Sequence, residues 1–418
     1  MSTNQIPIHN TLSWQEKVVL LFTSLLFVAQ PVTFADSRVW MFVLCGLGVW
    51  ILFFQPQIYK RVGFWQFTAI VLLFHVPGIL SYWNTYSPKE TTKFVFSLLA
   101  FYAAGVTIFS LLCNKKAADA IMLIIAITSM VWVFHAIVQF APELTGSHGL
   151  IVRGPFSDGT HMGMLLAVTL PVTLKWLTRH HFSAQLIYLA ALAFVLFATG
   201  IRTDWVTYLV AIVLFYGWAK RGRIFLLLGI IPVLVIAGWI AIIYSPITAV
   251  EVDQMKNFPT TYEALNTTLS KRLDIWEAGM NMGSQNLLTG VGAKAFNHAY
   301  ASYKSENDPF KDAIDGQGGA YHAHHPWVAI FAEMGLIGLV SLCSVVVLLL
   351  TLTIRSSRGF NLYHYPWMLS FILILNPINS MPPIFKMWWV PIVLLVITSH
   401  LANLERNNAT VHLVDNPK

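Results

Sequence analysis

Charged residues are scarce in this sequence: Asp, Glu, Lys and Arg make up only 11% of its 418 residues, against about 25% in soluble domains. Hydrophobic residues reach 56%, and the mean hydropathy of +0.63 shows that the apolar excess extends along the whole chain. This composition excludes an ordinary soluble domain. It predicts an all-α polytopic membrane protein, because helices satisfy their own backbone groups inside a bilayer.

Cysteine is nearly absent as well, and its three residues are far apart. Cys45, Cys113 and Cys343 lie singly in or at the ends of apolar runs, and none belongs to a CxxC pair. This arrangement predicts neither a thiolate metal site nor a disulfide framework. A nucleotide-binding loop is also lacking, because GVGAKAF at 290–296 does not end in the GK[ST] of a P-loop.

Apart from Glu333, about two turns into the tenth apolar run, these runs hold almost no carboxylates. Ion-coupled pumps and transporters depend on such intramembrane groups to relay protons or sodium ions. Their scarcity argues against a coupled transporter. An uncoupled channel or flippase stays open as an alternative.

Apolar runs of roughly the length that a membrane-spanning helix needs occur twelve times. The predicted spans are residues 17–34, 38–54, 64–83, 94–113, 118–140, 160–177, 184–200, 203–219, 224–244, 327–353, 363–381 and 384–402. No small-residue cleavage site follows the first run, so we interpret it as a retained span rather than a signal peptide. The expected parts are spans 1–9 within 1–244, a long loop over 245–326, spans 10–12 within 327–402, and a tail over 403–418.

Basic residues mark alternate loops of this arrangement. The clusters are Lys60 with Arg61, Lys115 with Lys116, Lys175 with Arg179, Lys220 with Arg221 and Arg223, and Arg355 with Arg358. Because cytoplasmic loops are enriched in Lys and Arg, these loops and both termini are predicted to be cytoplasmic. The clusters also account for most of the net charge of +7, and no basic patch with interleaved aromatics indicates a nucleic-acid partner.

The long loop contains one segment with helical periodicity, SKRLDIWEAGMNM at 270–282. Leu273, Trp276 and Met280, with Leu269 before them, recur at helical spacing. This pattern predicts an amphipathic helix lying near the membrane surface, with those side chains on its apolar face.

Three arginines lie on the predicted outer side, where the positive-inside rule disfavours them: Arg153, Arg202 and Arg272. A surface ion pair could explain each one, since Arg202 has Asp204 two residues on. Snorkelling along an apolar surface is another explanation. Together, and on the same side as several histidines, they favour an anion site, because guanidinium groups bind phosphate oxygens in a bidentate manner.

The stretch YHAHHPW places His322, His324 and His325 within four residues, directly before the tenth span. Metal ligands on a helix are usually spaced at i and i+4, and no HExxH occurs, so a metal site is disfavoured. A structural role at the helix entrance and acid–base chemistry both stay open. Burial beside arginines would keep an imidazole neutral and able to accept a proton. His161, at the outer end of the sixth span, would border such a site.

The segment that follows resembles a known family. HHPWVAIFAEMGLIGL is similar to the H-N-x-x-L-x-x-x-x-E-x-G-x-x-G signature of the O-antigen ligase family, which also includes O-antigen polymerases and O-linked oligosaccharyltransferases. Aligning Glu333, Gly335 and Gly338 places His324 on the family histidine. His325 stands where the family usually has asparagine, which leaves the assignment open among the three histidines.

Three further segments are similar to that family. RLDIWEAGMNMGSQNLLTGVGAKAF resembles its R-x-x-x-W segment running into G-x-G, with Arg272 as the arginine. GIRTDW resembles its S/T-R motif, with Arg202 as the match and Ile201 replacing the small hydroxyl residue. RGPFSDGTHMG resembles the segment ahead of the sixth span, with Arg153 in the basic position.

The resemblance implies a glycosyl transfer without metal or other cofactor, at the periplasmic face of the bacterial inner membrane. The donor would be a glycan on undecaprenyl pyrophosphate, and the acceptor a sugar hydroxyl of lipid A–core. Arg272, Arg202 and Arg153 would hold the pyrophosphate. His324 would take the acceptor's proton, and His322, His325 and His161 would bind substrate. The alternatives are an O-antigen polymerase, an O-linked protein glycosyltransferase and, from another class, a transporter of lipid-linked glycans.

Overall fold

The computed structural model describes residues 12–31, 36–140, 153–156, 159–218, 261–269, 271–306, 308, 310, 320–356, 361–376 and 382–415. Within these ranges every regular element is a helix. The α-helices are α1 (Trp14–Val28), α2 (Asp36–Phe54), α3 (Val62–Leu80), α4 (Pro88–Leu112), α5 (Lys115–Phe140), α6 (Gly159–Leu177), α7 (Phe182–Ala198), α8 (Arg202–Gly217), α9 (Tyr262–Thr268), α10 (Arg272–Gln285), α11 (Phe296–Tyr303), α12 (Pro326–Arg355), α13 (Pro366–Ile374) and α14 (Val390–Asp415). Short 3-10 turns cover Pro56–Lys60, Ser81–Asn84 and Leu362–His364.

Four of the described helices are long and apolar enough to cross a membrane: α3 with its following turn, α4, α5 and α12. Shorter apolar helices cover Val39–Phe54, His161–Leu177 and Phe182–Ala198. The all-α membrane class predicted from composition is therefore supported. The count of twelve spans stays a prediction, and the expected span over 224–244 lies outside the described residues.

The last two predicted spans differ from the helices observed. Only Pro366–Ile374 of the predicted 363–381 is described as helix, and α14 begins at Val390 instead of residue 384. A turn replaces the start of the predicted twelfth span: the Lys386 amide donates to the Pro383 carbonyl (2.9 Å). Proline has no amide proton, and its ring clashes with the carbonyl four residues earlier in a helix, so Pro391 fits the first turn of α14 and would break a helix that began at residue 384.

Helix α6 forms the centre of the bundle, in contact with α5, α8 and α13. Side chains on every side of it are fully buried, including Leu165, Leu166, Val168, Leu170 and Val172. A helix that is apolar all round is the expected pattern for a buried core helix. Large apolar side chains on the peripheral helices are exposed instead, as on a lipid-facing surface.

The two ends of the bundle can be told apart by following α4. This helix starts beside Glu90 and runs for 25 residues to Leu112, a distance of ~37 Å at 1.5 Å per residue. At its far end, Asn114 donates to Glu16 of α1 (2.8 Å), and Arg406 of α14 donates to the Leu112 carbonyl. The start of α1 and the late part of α14 therefore lie at the same end of the bundle.

The helix predicted over 270–282 is present as α10, and the face that packs against the protein is not the predicted apolar face. Met280 is 49% exposed, whereas Ala278, Gly279 and Gly283 are buried. These small residues let α10 approach α12 closely: a Cβ added to Gly283 would lie 2.4 Å from a ring carbon of Phe331. The buried face of α10 is thus the one with small residues that allow close contact with α12, and hydrophobic periodicity does not indicate such a contact.

Candidate functional site

A cavity of about 800 Å³ opens where α4, α6, α8, α10 and α12 begin. The turn before α14 closes one side of it. Its polar and charged lining residues are Glu90, His161, Thr203, Arg272, Lys294, Tyr321, His322, His324, Glu333 and Lys386. Arginine, lysine and histidine side chains thus converge on one space at the end of the bundle where α4 begins.

One wall of the cavity is a break in α12. Gly335 has φ 63° and ψ −156° inside this otherwise helical segment, a conformation that only glycine adopts readily. Four backbone hydrogen bonds from the loop after α10 replace those lost at the break: Leu336 N to Leu287 O (2.7 Å), Ile337 N to Leu288 O (3.2 Å), Val291 N to Ala332 O (2.9 Å) and Gly292 N to Glu333 O (3.1 Å). The loop and the broken helix therefore form one hydrogen-bonded unit.

Glycine is needed on both sides of this unit because the two backbones are very close. A Cβ at Gly290 would lie 2.4 Å from the Glu333 carbonyl carbon, and one at Gly335 would lie 2.5 Å from the Leu288 carbonyl carbon. Gly290 also has φ 66°. The glycines of the family-like segments thus have a structural explanation.

The carboxylate of Glu333 connects this unit to the cavity. Its Oε2 accepts a hydrogen bond from the backbone amide of Lys294 (2.9 Å), which holds Lys294 at φ 60°. The Lys294 side chain then faces the cavity, and Lys386 faces it from the opposite turn. Burial lowers the pKa of both lysines, while the nearby Glu333 acts in the opposite direction.

The rings of His322 and His324 lie against each other in the cavity, with centroids 4.0 Å apart and planes tilted by 34°. His324 has φ 51°, a left-handed conformation in which histidine is enriched. Burial, with the Arg272 guanidinium and the Lys386 ammonium, lowers the pKa of His324 to about 4. Burial and the same neighbours, together with His324, lower the pKa of His322 to about 2. Both imidazoles are therefore neutral at neutral pH.

His325 is directed elsewhere, at the start of α12. Its Nδ1 accepts a hydrogen bond from the Val328 amide (3.3 Å), which caps the helix. Its ring meets Trp276 edge-on, with centroids 5.2 Å apart. His325 is buried and does not belong to the cavity lining.

Arg272 is the first residue of α10, and Trp276 lies one turn later on the same face. The Trp276 indole donates to the Ala323 carbonyl (2.9 Å), which fixes the histidine segment beside Arg272. His161 lines the cavity from α6 and packs edge-on against Trp388, at 4.3 Å between centroids.

The other two predicted arginines are placed differently. Arg202 begins α8, and it is the next residue, Thr203, that lines the cavity. The Arg153 side chain is exposed and outside the lining, while its backbone amide donates to the Gln139 side-chain oxygen (2.9 Å). The structure thus brings together Arg272, His161 and two of the three clustered histidines.

Sequence reasoning missed Lys294, Lys386 and Glu90. Lys386 could have been found, because it lies at the outer end of the last predicted span, where the positive-inside rule disfavours a cation. Lys294 gave no comparable signal, since the long loop contains several other lysines. Lys294 lies in the cavity because its backbone amide donates to Glu333, a residue 39 positions away in the sequence.

Among the described residues, no group of three or more His, Cys, Asp or Glu side chains is arranged to hold a metal ion.

Comparison with known families gives one match. Residues 187–343 match the family described as O-antigen ligase, and no curated protein matched the chain. The matched segment includes Arg202, Arg272, Lys294, both cavity-facing histidines of the cluster and Glu333. This part of the chain is therefore similar to the O-antigen ligase family.

Proposed function

We propose that this protein transfers a glycan from undecaprenyl pyrophosphate to a sugar hydroxyl of lipid A–core. The family match over residues 187–343 supports glycosyl transfer of the ligase or polymerase type. The main support for the finer assignment is the pairing of neutral histidines with Arg272, Lys294 and Lys386 in one cavity of the membrane protein.

In this mechanism His324 is the general base. The acceptor hydroxyl oxygen attacks the anomeric carbon, the bond from that carbon to the pyrophosphate oxygen breaks, and the hydroxyl proton moves to the imidazole. Of the two stacked histidines, His324 is the one that aligns with the family histidine when Glu333, Gly335 and Gly338 are matched to the family signature. His322 positions it through the ring contact.

Arg272, Lys294 and Lys386 bind the pyrophosphate and stabilise the charge that develops as it leaves. Pyrophosphate is a good leaving group, so protonation by a carboxylic acid is unnecessary, in contrast to glycoside hydrolases. Bound donor also offsets the positive charge that lowers the pKa of His324. The base therefore becomes stronger once the donor is in place. Arg202 and Arg153 stay candidates for contacts with the donor glycan or with the rim of the site.

We further propose that the cavity faces the periplasm and that both termini are cytoplasmic. Lys60, Arg61 and Lys115 belong to the end of the bundle remote from the cavity, together with Glu16 and Arg406. Because Glu16 and Arg406 lie at the same end of the bundle, the chain between them crosses the membrane an even number of times in this proposal. Basic residues at that end fit a cytoplasmic assignment.

The direct test is transfer by purified protein, with an undecaprenyl pyrophosphate-linked glycan as donor and lipid A–core as acceptor. We expect glycosylated lipid A–core, activity that survives EDTA, and a loss of about 10²- to 10⁴-fold in His324→Ala. His325→Ala is the matched control: it removes a neighbouring imidazole that caps α12 and does not line the cavity.

Three outcomes would contradict this assignment. Elongation of the lipid-linked donor in place of lipid A–core would identify a polymerase. Full activity in both His324→Ala and His322→Ala would exclude histidine base catalysis. Movement of the lipid-linked glycan across a vesicle membrane with no new glycosidic bond would identify a transporter.

A further inference from the structure

A second cavity, of about 260 Å³, lies between the second turn of α2, the third and fourth turns of α4 and the start of α14. Its walls are almost entirely apolar and include Phe42, Phe96, Phe101 and Met387. Phe42 and Phe96 are 70% and 66% exposed, so this groove opens towards the surrounding lipid. We call it the apolar groove.

The polar atoms of the apolar groove are already satisfied. Ser97 contributes the one hydroxyl among its lining residues, and that hydroxyl donates to the Lys93 carbonyl of its own helix (2.6 Å). The groove therefore offers a surface for a hydrocarbon and no free hydrogen-bonding group for a sugar.

The apolar groove and the charged cavity share one lining residue. Met387 lines both spaces, and Lys386, directly before it, faces the charged cavity. Farther from the cavity, α2 and α4 are in close contact, because a Cβ added to Gly48 would lie 1.8 Å from the Ala103 carbonyl oxygen. The groove is thus confined to the half of the bundle nearer the cavity.

We propose that the apolar groove binds the first isoprene units of the donor, next to its pyrophosphate; this rests on the proposed function. A polyprenyl pyrophosphate has its hydrocarbon bonded directly to the phosphate, so the chain must begin where the phosphate is held. Lys386 and Met387 are adjacent residues that provide one surface for each part. In the acceptor lipid, several sugars separate the reacting hydroxyl from the acyl chains, which places those chains farther away.

The groove is small beside pockets that enclose drug-sized ligands, about 300–1,000 Å³, so most of the chain stays in the bilayer. Because lipid tails are as apolar as the groove, the contribution comes from close packing and not from removal of water. The groove therefore fixes the direction in which the donor enters and adds moderately to its affinity.

Photolabelling tests the site without requiring transfer. The probe is a polyprenyl pyrophosphate carrying a benzophenone on an isoprene unit close to the phosphate, used with wild-type protein in lipid vesicles. We expect cross-links between Phe96 and Phe101 and at residues 387–391, reduced by unlabelled polyprenyl pyrophosphate. Cross-links confined to other helices would overturn the proposal even if transfer is observed.

Kinetics provides the second arm. Ala100→Trp fills the apolar groove, and because a farnesyl-linked donor carries the same first isoprene units, we expect the KM for this donor and the KM for the undecaprenyl-linked donor both to rise about tenfold. Val131→Trp, at a lipid-facing position on α5 that is 56% exposed, is the control and should change neither value. An unchanged KM for both donors, or a rise in the KM for lipid A–core alone, would overturn the assignment. Absence of transfer by wild-type protein, with specific photolabelling intact, would instead contradict the proposed function.

Discussion

The two ends of the helix bundle hold their charges in opposite ways. At the end remote from the cavity, Asp119 pairs with both Lys115 (2.6 Å) and Arg179 (2.7 Å), and all three side chains are partly exposed. At the cavity end, Lys294 and Lys386 are half-buried, and neither forms an ion pair with a carboxylate of the described residues. Glu333 lies near them but contacts the Lys294 backbone amide.

This difference separates charges that the fold tolerates easily from charges that it retains at a cost. Exposed ion pairs change stability by about 0–1 kcal/mol. A cation withdrawn from water without a close partner is destabilising. Cations kept under those conditions are expected where an anion arrives from outside the protein, which fits a phosphate-binding role for the cavity end.

The largest effect is expected from Gly335→Val, which removes the break in α12. The φ of 63° and the Leu288 carbonyl carbon, 2.5 Å from an added Cβ, leave no room for a side chain. We expect the folded protein to be lost, since both strain and four backbone hydrogen bonds are affected. The measurement is recovery of a monodisperse peak in detergent. Gly46→Ala is the control, because no atom lies within 4 Å of its added Cβ; similar behaviour of the two variants would contradict the role of the break.

Next in size is Lys386→Met, which removes one buried cation with little change in volume. We expect kcat/KM for the lipid-linked donor to fall about 100-fold, as when one group that stabilises a developing negative charge is deleted. Thermal unfolding should show no loss of stability, because desolvation of the ammonium group is avoided. A decrease in both activity and stability would mean that the lysine is structural and would break the contrast between the two ends.

A moderate effect is expected on the pH dependence. Because the pKa of His324 is lowered to about 4 in the free protein, its neutral form should persist well below pH 6.5, and kcat/KM should fall only as the pH approaches that lower value. Bound pyrophosphate offsets the charges of Arg272 and Lys386 and so raises the pKa of His324. The acid limb of the kcat profile should therefore lie at higher pH than the acid limb of kcat/KM. In Arg272→Gln the acid limb of kcat/KM should move to higher pH, because a cation that lowers the pKa of His324 is removed. Coincident limbs for kcat and kcat/KM would contradict this electrostatic coupling.

The smallest effect is expected from Arg179→Gln at the remote end. Its pair with Asp119 is partly exposed, so stability should change by less than ~1 kcal/mol, with transfer activity unaltered. Thermal unfolding and the transfer assay on the same sample provide the check. A large loss of activity would show that charge at this end also matters for the reaction.

Hydropathy predicted most helices because their length and composition are local properties. The described helices from α1 to α8 and α12 lie close to the predicted runs. Hydropathy could not show the break at Gly335, since MGLIG reads as a continuous apolar stretch. It also missed the turn at Lys386, because MWWVPIVLLV is strongly apolar although its proline, Pro391, disfavours helix in the residues before it.

The site was predictable only in part, for a related reason. His322, His324 and Arg272 stand out by spacing and by their predicted side of the membrane, and the structure brings them to one cavity. Lys294 is selected by a hydrogen bond to a distant glutamate, and His325 is turned to a helix cap by its own Nδ1. Such choices depend on contacts between distant segments, which a single sequence does not display.

The break in α12 also constrains how the protein is made. Inside a bilayer, unpaired backbone amides and carbonyls are strongly unfavourable, so α12 cannot be inserted in its final form without residues 287–292. That segment precedes α12 in the chain and is synthesised first. The partner for the broken helix is thus already available when α12 leaves the ribosome, and the N-to-C order of translation matches the order in which the two pieces must meet.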